Sequence, residues 1–147
     1  MKTWTTQTTV AGAPHEVLNL LTEPDAIARW APIPFELIDF PERRLQAGTR
    51  ARVSGGLAGR HLEFDVNVHE AEDGRLALRA VGPIEIDVEY VATPIETGSD
   101  LRASVTVTGR GLTGRILAKA TDALLASGVL STAVRGIERE LCAGVAA

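Results

Sequence analysis

The chain has 147 residues, of which 45% are hydrophobic and 23% charged, and its formal net charge is −4. This length fits one domain, residues 1–147, with a substantial core. The charges are spread without long runs of one sign, which argues against nucleic-acid binding as the main function. The single cysteine, Cys142, cannot form an internal disulfide, and no apolar run approaches the roughly 20 residues of a membrane span. We therefore expect a cytoplasmic protein without an integral membrane segment.

The N-terminal part of the chain predicts one strand followed by two short helices. Residues 3–10 are rich in β-branched side chains, and alternation places Trp4 and Val10 on one face of that strand. A proline suited to the first helical turn opens a helix over residues 14–21. A second short helix over residues 26–30 ends before another proline.

The middle of the chain predicts a meander of six antiparallel strands, because apolar and polar residues alternate there between polar or glycine-rich turns. The apolar residues share one side of the sheet and the charged residues the other, so we expect one face to be buried. The expected strands cover residues 35–40, 48–54, 61–69, 75–80, a stretch around 86–90, and 101–109.

The hydrophobic pattern of residues 61–80 predicts the register of a first hairpin. A three-residue loop ending at Gly74 places Val68 opposite Leu78 and keeps the apolar side chains on one face. A two-residue Asp-Gly turn would instead pair Val68 with Arg79 and mix the faces. The pattern therefore favours the longer loop.

The next hairpin is predicted in the same way, with residues 81–83 as its loop. This loop pairs Leu78 with Ile86 on the apolar face and sets Arg75 opposite Glu89 on the outer face. In this register apolar residues meet on one face and opposite charges meet on the other. The outer carboxylates are therefore interpreted as solvated partners of arginines.

The last third of the chain predicts one long amphipathic helix over residues 112–143. The small residues in the middle of its buried side either leave a void under the helix or allow close packing against the sheet, and both interpretations stay open. The residues of that side recur at helical spacing and are Ile116, Ala120, Ala123, Ser127, Leu130, Ser131, Val134, Ile137 and Leu141.

Three short motifs, together with this order of elements, resemble those of a known superfamily. They are Ala13-Pro14-x-x-Val17 after the first strand, Leu21-Thr22-Glu23-Pro24 at the end of the first helix, and Arg29-Trp30-Ala31-Pro32 at the end of the second. The chain resembles the START-like helix-grip superfamily SRPBCC, within its polyketide cyclase/dehydrase and lipid transport branch. The resemblance implies one α+β helix-grip domain, in which a curved antiparallel sheet of about seven strands, in the order β-α-α-β6-α, wraps around a long C-terminal helix.

The same resemblance implies an apolar ligand cavity between the sheet and the long helix, entered near the short helices. Some members of the superfamily cyclise polyketides, and others carry lipids, hormones or alkaloid precursors. Aromatic residues are only 4% of this chain, so aliphatic and small side chains are expected to line such a cavity.

The candidate ligand-binding residues come from the apolar faces of the sheet and the helix. Trp30 and Phe35 either flank the cavity entrance or belong to the core. Tyr90 is a ligand-binding candidate and the single catalytic candidate, because its hydroxyl needs a partner if it is buried. Ser127 and Ser131 either bind the polar end of a ligand or bond to helix carbonyls. The other candidates are Phe64, Val66, Leu78, Ile86, Val88, Ala103, Val105, Ala120 and Leu124.

Metal and cofactor chemistry is not expected from the sequence. His61, Asp65 and His69 share one strand face, but residues four apart on a strand are separated by roughly 13 Å, too far to ligate one ion. No interior acid or base can be placed by pattern, which weakens the case for proton-transfer catalysis. No cofactor is expected.

Three functions remain open on the sequence alone. The favoured one is binding or carriage of a small hydrophobic molecule, lipid or polyketide-like, in the cavity. The alternatives are a polyketide cyclase or dehydrase that uses the same cavity, and a protein-interaction module whose cavity has collapsed. The sequence also leaves a homodimer open.

Overall fold

The computed structural model of this protein describes residues 2–31, 35–39, 44–57 and 60–146. Seven strands and four helices follow one another in these ranges. In chain order they are β1 Lys2–Val10, α1 Pro14–Thr22, α2 Pro24–Trp30, β2 Phe35–Asp39, β3 Arg50–Leu57, β4 Arg60–Glu72, β5 Arg75–Val81, β6 Ile84–Ile95, β7 Gly98–Gly109, α3 Gly111–Ala126 and α4 Val129–Ala146. The predicted α+β class is confirmed, as is the predicted succession along the chain of one strand, two short helices and six strands. Residue 40 of the second predicted strand lies outside the described residues.

All seven strands form one antiparallel sheet in the order β1-β7-β6-β5-β4-β3-β2. The first strand returns to the last, with Trp4 opposite Val105, so the first and last strands of the chain lie side by side. The helices α1, α3 and α4 contact the sheet, and the apolar residues of the strands face them. A sheet with one apolar face covered by helices is the arrangement that the alternating pattern predicts.

The β4–β5 hairpin has the predicted register but a different turn. Val68 lies opposite Leu78 as expected. The turn itself is the two-residue Asp73-Gly74, both with positive φ, 54° and 75°, as a type I′ turn requires. A bulge at His69, between Val68 and the next paired residue, takes up the extra residue and keeps the apolar side chains on one face.

The predicted register of the β5–β6 hairpin is wrong by two residues. Leu78 pairs with Val88, not with Ile86. A shift of two leaves every side chain on its face, so the hydrophobic pattern alone could not distinguish the two registers. On the outer face Arg75 still reaches Glu89, at 2.5 Å between Nη2 and Oε2.

The predicted single C-terminal helix is also wrong, because it is two helices. The axes of α3 and of residues 129–142 differ by 53°. Between them Gly128 has φ +99°, a left-handed conformation that ends a helix and that L side chains avoid. Within the described residues no single helix is long and apolar enough to cross a bilayer, although the bent pair meets that criterion by length and composition.

The break sets the two helices in different rotational phases. In α4 the predicted buried residues Leu130, Val134, Ile137 and Leu141 are buried. In α3 the buried residues are Leu117 and Thr121, one position later than the predicted Ile116 and Ala120. One position is about 100° of helix rotation, so the periodicity of α4 cannot be continued back through Gly128.

Close packing of α4 against α2 holds this end of the molecule together. A Cβ atom on Gly136 would lie 2.6 Å from the backbone oxygen of Trp30, so a side chain is excluded there. Arg29 and Glu140 form an ion pair across the same two helices, at 3.2 Å. The fully enclosed side chains Leu21, Leu101 and Ile137 lie in the packed core that results.

Candidate functional site

Two cross-strand rows on the apolar face of the sheet stay half-buried, although the adjoining row is sealed. In the sealed row Leu76 pairs with Tyr90, and both are buried. In the next row Leu78 pairs with Val88, and both keep accessible surface. Solvent therefore reaches the apolar middle of the sheet. The half-buried residues of this region are Leu62, Phe64, Val66, Leu78, Ala80, Ile86 and Val88.

The opposite wall of this space is α3. Its backbone lies close to β7 and β6 on one side and to β3 on the other, with at most marginal contact to β4 and β5 between them. The inward side chains Ala118, Leu124 and Leu125 are themselves half-buried, as is Ala120. A helix that bridges two strands while its lining residues stay accessible leaves room beneath it. We call the space between α3 and strands β4–β6 the inner space.

Tyr90 provides a polar group next to the inner space. Its side chain is only 6% exposed, and its ring meets that of Trp30 edge to face, with centroids 6.0 Å apart. Among the described residues no hydrogen-bond partner of its hydroxyl is found, yet no fully enclosed side-chain oxygen there lacks one. The hydroxyl oxygen is therefore in contact with accessible space.

A tyrosine phenol is neutral at physiological pH, because its ordinary pKa is about 10. Loss of hydration raises the pKa of the Tyr90 phenol further. The neutral hydroxyl can donate a hydrogen bond. It cannot serve as a base at that pH, because its phenolate is not populated.

Trp30 belongs to the core, one of its two predicted roles. Its Nε1 donates a hydrogen bond of 2.8 Å to the carbonyl oxygen of Leu20, and its backbone lies against Gly136 of α4. The indole is thus fixed by its contacts and is buried. The backbone of Phe35 pairs with Gly55 at the end of β2, but its side chain lies outside the described part of the chain.

The predicted position of Ser127 and Ser131 on the buried side is wrong, since both are exposed. The different rotation of α3 accounts for Ser127, whereas Ser131 belongs to α4 and lies beside the buried stripe of Leu130, Val134 and Ile137. Ser127 donates its hydroxyl hydrogen bond, 2.6 Å long, to the carbonyl oxygen of Leu124. This back-bonding to the helix is the other role predicted for that residue.

The β7 candidates lie in the packed part of the interior. Ala103 has no accessible surface, and Val105 is buried, because α3 rests mainly on β7. The other sheet candidates, Phe64, Val66 and Ile86 among them, keep the accessible surface that a ligand would cover.

Four residues of the inner space are missed by sequence reasoning: Leu62, Ala80, Ala118 and Leu125. Ala80 follows Leu78 at the strand period along β5. Leu62 alternates with Phe64 along β4, and its period was sufficient to find it. Ala118 and Leu125 depend on the rotation of α3, for which Gly128 is the only signal in the sequence.

Two surface grooves open elsewhere on the molecule, and one of them reaches Val66 of the inner space. One, of about 590 Å³, follows the outer side of α4 and is lined by Thr132, Arg135, Glu138, Arg139 and Cys142. The other, of about 520 Å³, lies where β2, β3 and β4 meet, with Ile38, Arg52 and Asp65 among its lining. In the described ranges no three His, Cys, Asp or Glu side chains stand close enough to hold a metal ion. Asp65 instead contacts Arg52 at 3.2 Å.

The seven-stranded antiparallel sheet covered by helices has the helix-grip fold. No family model matches the chain, and no curated protein matches it. Solved structures do. TTHA0849 from Thermus thermophilus is similar over 97% of this chain and 99% of its own, with 16% identity and a TM-score of 0.74.

Two further solved structures share this fold. Ara h 8.0201 is similar over 97% of this chain and 98% of its own, with 13% identity and a TM-score of 0.66. DynU16, a protein in the dynemicin biosynthetic locus, is 25% identical over 98% of this chain and 48% of its own, with a TM-score of 0.66. These similarities establish the fold.

Proposed function

We propose that this protein binds a small hydrophobic molecule in the inner space, with a carbonyl or similar acceptor of the ligand placed at the Tyr90 hydroxyl. The observation that carries the proposal is the half-buried row of aliphatic side chains on β4, β5 and β6. Apolar surface that faces inward but stays exposed to water raises the free energy of the protein by about 25 cal/mol per Å². A ligand that covers it recovers this free energy.

The lining determines the chemistry of the ligand. No charged side chain is buried in the described part of the protein, so an ionic group on the ligand would lose its hydration without compensation. The side chains available are mainly aliphatic, and the Tyr90 phenol is neutral at physiological pH and can donate a hydrogen bond. The best fit is an uncharged lipid or polyketide-like molecule with an oxygen acceptor.

A cyclase or dehydrase is the second candidate, and Tyr90 is the observation that favours it. A neutral phenol can stabilise the oxygen of an enolising carbonyl, while the walls hold a flexible chain in a reactive conformation. DynU16, which shares the fold, belongs to a biosynthetic locus. The Tyr90 phenol is neutral and cannot remove the proton at neutral pH, so the substrate or water would have to accept it.

Native mass spectrometry of the protein purified from its own host tests the proposal. We expect an adduct of a few hundred daltons that organic solvent extracts. Complete absence of an adduct, together with no binding of Nile red or phenylnaphthylamine, would contradict the proposal and favour an interaction module with a collapsed cavity. Turnover of a polyketide-like chain that falls in Tyr90→Phe, with folding intact, would favour the enzyme.

A further inference from the structure

The outer side of α3 exposes two large apolar side chains at the end of the molecule where the helix begins. Leu112 is 79% exposed and Ile116 60%, and they lie one turn apart on the same side of the helix. Among the described residues they are the most exposed of the large hydrophobic side chains. Sheet packing does not explain them, because the inward side of α3 is formed by Leu117 and Thr121.

The β5–β6 loop extends this apolar surface. Pro83 is exposed, and a Cβ atom on Gly114 in the first turns of α3 would lie 3.1 Å from the backbone oxygen of Pro83. On its other side the loop meets the inner space, since a Cβ atom on Gly82 would overlap the ring of Phe64 at 2.8 Å. The apolar surface and one end of the inner space therefore adjoin.

The charges around this surface are positive, in contrast to the net charge of −4 for the whole chain. Residues 110–121 contain Arg110, Arg115 and Lys119, and no acidic residue. Arg110 forms an ion pair with Glu85 at 3.5 Å. Asp122, the next acid along α3, accepts a hydrogen bond of 2.9 Å from Trp4 Nε1 and is half-buried.

We propose that this surface, which we call the α3 end (Pro83, Leu112 and Ile116 with Arg110, Arg115 and Lys119), binds an anionic lipid bilayer. Apolar side chains that insert at the acyl boundary, flanked by long cationic side chains that reach the headgroups, are what a bilayer surface selects. A protein partner would more typically meet a broader apolar patch with hydrogen-bonding side chains around it. Docking at the α3 end sets one end of the inner space against the membrane, a consequence that rests on the proposed function.

Vesicle co-sedimentation of the full chain tests this inference. Vesicles of phosphatidylcholine alone are compared with vesicles in which one lipid in three is phosphatidylglycerol, at low and high salt. We expect binding to the anionic vesicles that weakens with salt. L112S/I116S should reduce the partition coefficient at least about tenfold, and R115Q/K119Q at least about fivefold, with most of the salt dependence removed.

The matched control is I38S/I95S, which removes two exposed apolar side chains, 48% and 40% exposed, from other elements and should leave binding unchanged. Circular dichroism checks that each variant is folded.

Absence of binding to anionic vesicles, or equal weakening by the control pair, would overturn the proposal. So would self-association in sedimentation velocity that L112S/I116S abolishes, since the α3 end would then join two copies. Nile red binding in the inner space is measured separately and should survive L112S/I116S.

Discussion

Tyr90 combines a buried ring with a hydroxyl that no described residue binds. A buried hydroxyl without any partner costs about 1–3 kcal/mol. Because this oxygen contacts accessible space, water can satisfy it in the free protein, and a ligand acceptor can replace that water. We therefore expect the hydroxyl to contribute little to folding and, if the proposed site binds a ligand, to favour ligands with an acceptor oxygen.

Tyr90→Phe separates these two roles. We expect a loss of about two- to tenfold in affinity for Nile red, which carries a carbonyl, because one hydrogen bond of about 0.5–1.5 kcal/mol disappears. Affinity for phenylnaphthylamine, which has no carbonyl, should stay the same. Fluorescence titration measures both.

Ser99→Ala is the control, since its buried hydroxyl donates a 2.5 Å hydrogen bond to the carbonyl oxygen of Gly12 away from the inner space. It should lower the unfolding free energy by about 1 kcal/mol and leave both affinities unchanged. Equal affinity of wild type and Tyr90→Phe for Nile red would show that the Tyr90 hydroxyl does not bind the ligand.

The ionisation of Tyr90 can be followed directly, because it is the only tyrosine of the chain. Burial raises its pKa above its ordinary value, so the unfolded state loses the phenol proton first as pH rises. The stability it contributes is complete below about pH 10 and is lost progressively above that value. Phenolate absorbance should therefore appear only together with loss of the folded circular dichroism signal. Phenolate formation in the folded protein near about pH 10, the ordinary pKa of a tyrosine, would contradict the burial of this group.

At the scale of elements, the break at Gly128 determines which residues face the inner space. On one side of the break, α4 packs against α1, α2 and β1. On the other side, α3 passes over β4 and β5, between its contacts with β6 and β7 and its contact with β3. A second left-handed glycine, Gly111 with φ +69°, stands at the start of α3. The helix that covers the inner space is thus bounded at both ends by conformations that glycine favours.

Gly128→Ala tests whether this break is built into the backbone. No atom lies within 4 Å of the Cβ position, so the cost is purely conformational. We expect a loss of about 1–2 kcal/mol in unfolding free energy by urea titration.

Gly56→Ala is the matched control, because its Cβ position is equally open but its φ is not positive. Its unfolding free energy should change by less than about 0.5 kcal/mol. If both variants are equally stable, the left-handed turn between α3 and α4 is not required.

The strands were largely predictable from the sequence because a period of two assigns each side chain to a face. The β4–β5 register was therefore correct although the turn was not, since the bulge at His69 restores the same pairing. The β5–β6 register was not decidable, because Leu78 meets an apolar residue whether it pairs with Ile86 or Val88. Pattern reasoning determines faces, and turn geometry determines the pairing.

The helical wall of the site was less predictable. The period of α4 runs on without interruption through Ser127 to Ile116, so Gly128 is the only sign of a break and nothing in the sequence indicates the new rotation of α3. As a result Ser127 was assigned inward, and Ala118 and Leu125 were missed. The strand wall, with Val66 and Val88, required no such extrapolation and was placed on the correct face.

At the scale of the whole molecule, the apolar interior has two parts. Between β1, β7 and α4 it is sealed, with Leu101 and Val107 almost fully enclosed. Under α3, from β4 to β6, the same face of the sheet is half-open. A protein that needed only a stable core would gain by sealing both parts, and this difference supports the proposal that the half-open part binds a ligand.

Filling the inner space is the most direct test of this account. Val88→Phe adds a ring where the side chain is half-buried, and Val107→Phe adds the same ring on the neighbouring strand where the residue is only 2% exposed. We expect Val88→Phe to keep the unfolding free energy within about 1 kcal/mol and to weaken phenylnaphthylamine binding at least about tenfold, whereas Val107→Phe loses about 1–3 kcal/mol. If Val88→Phe is as destabilising as Val107→Phe, or binds the probe like the wild type, the inner space does not hold a ligand.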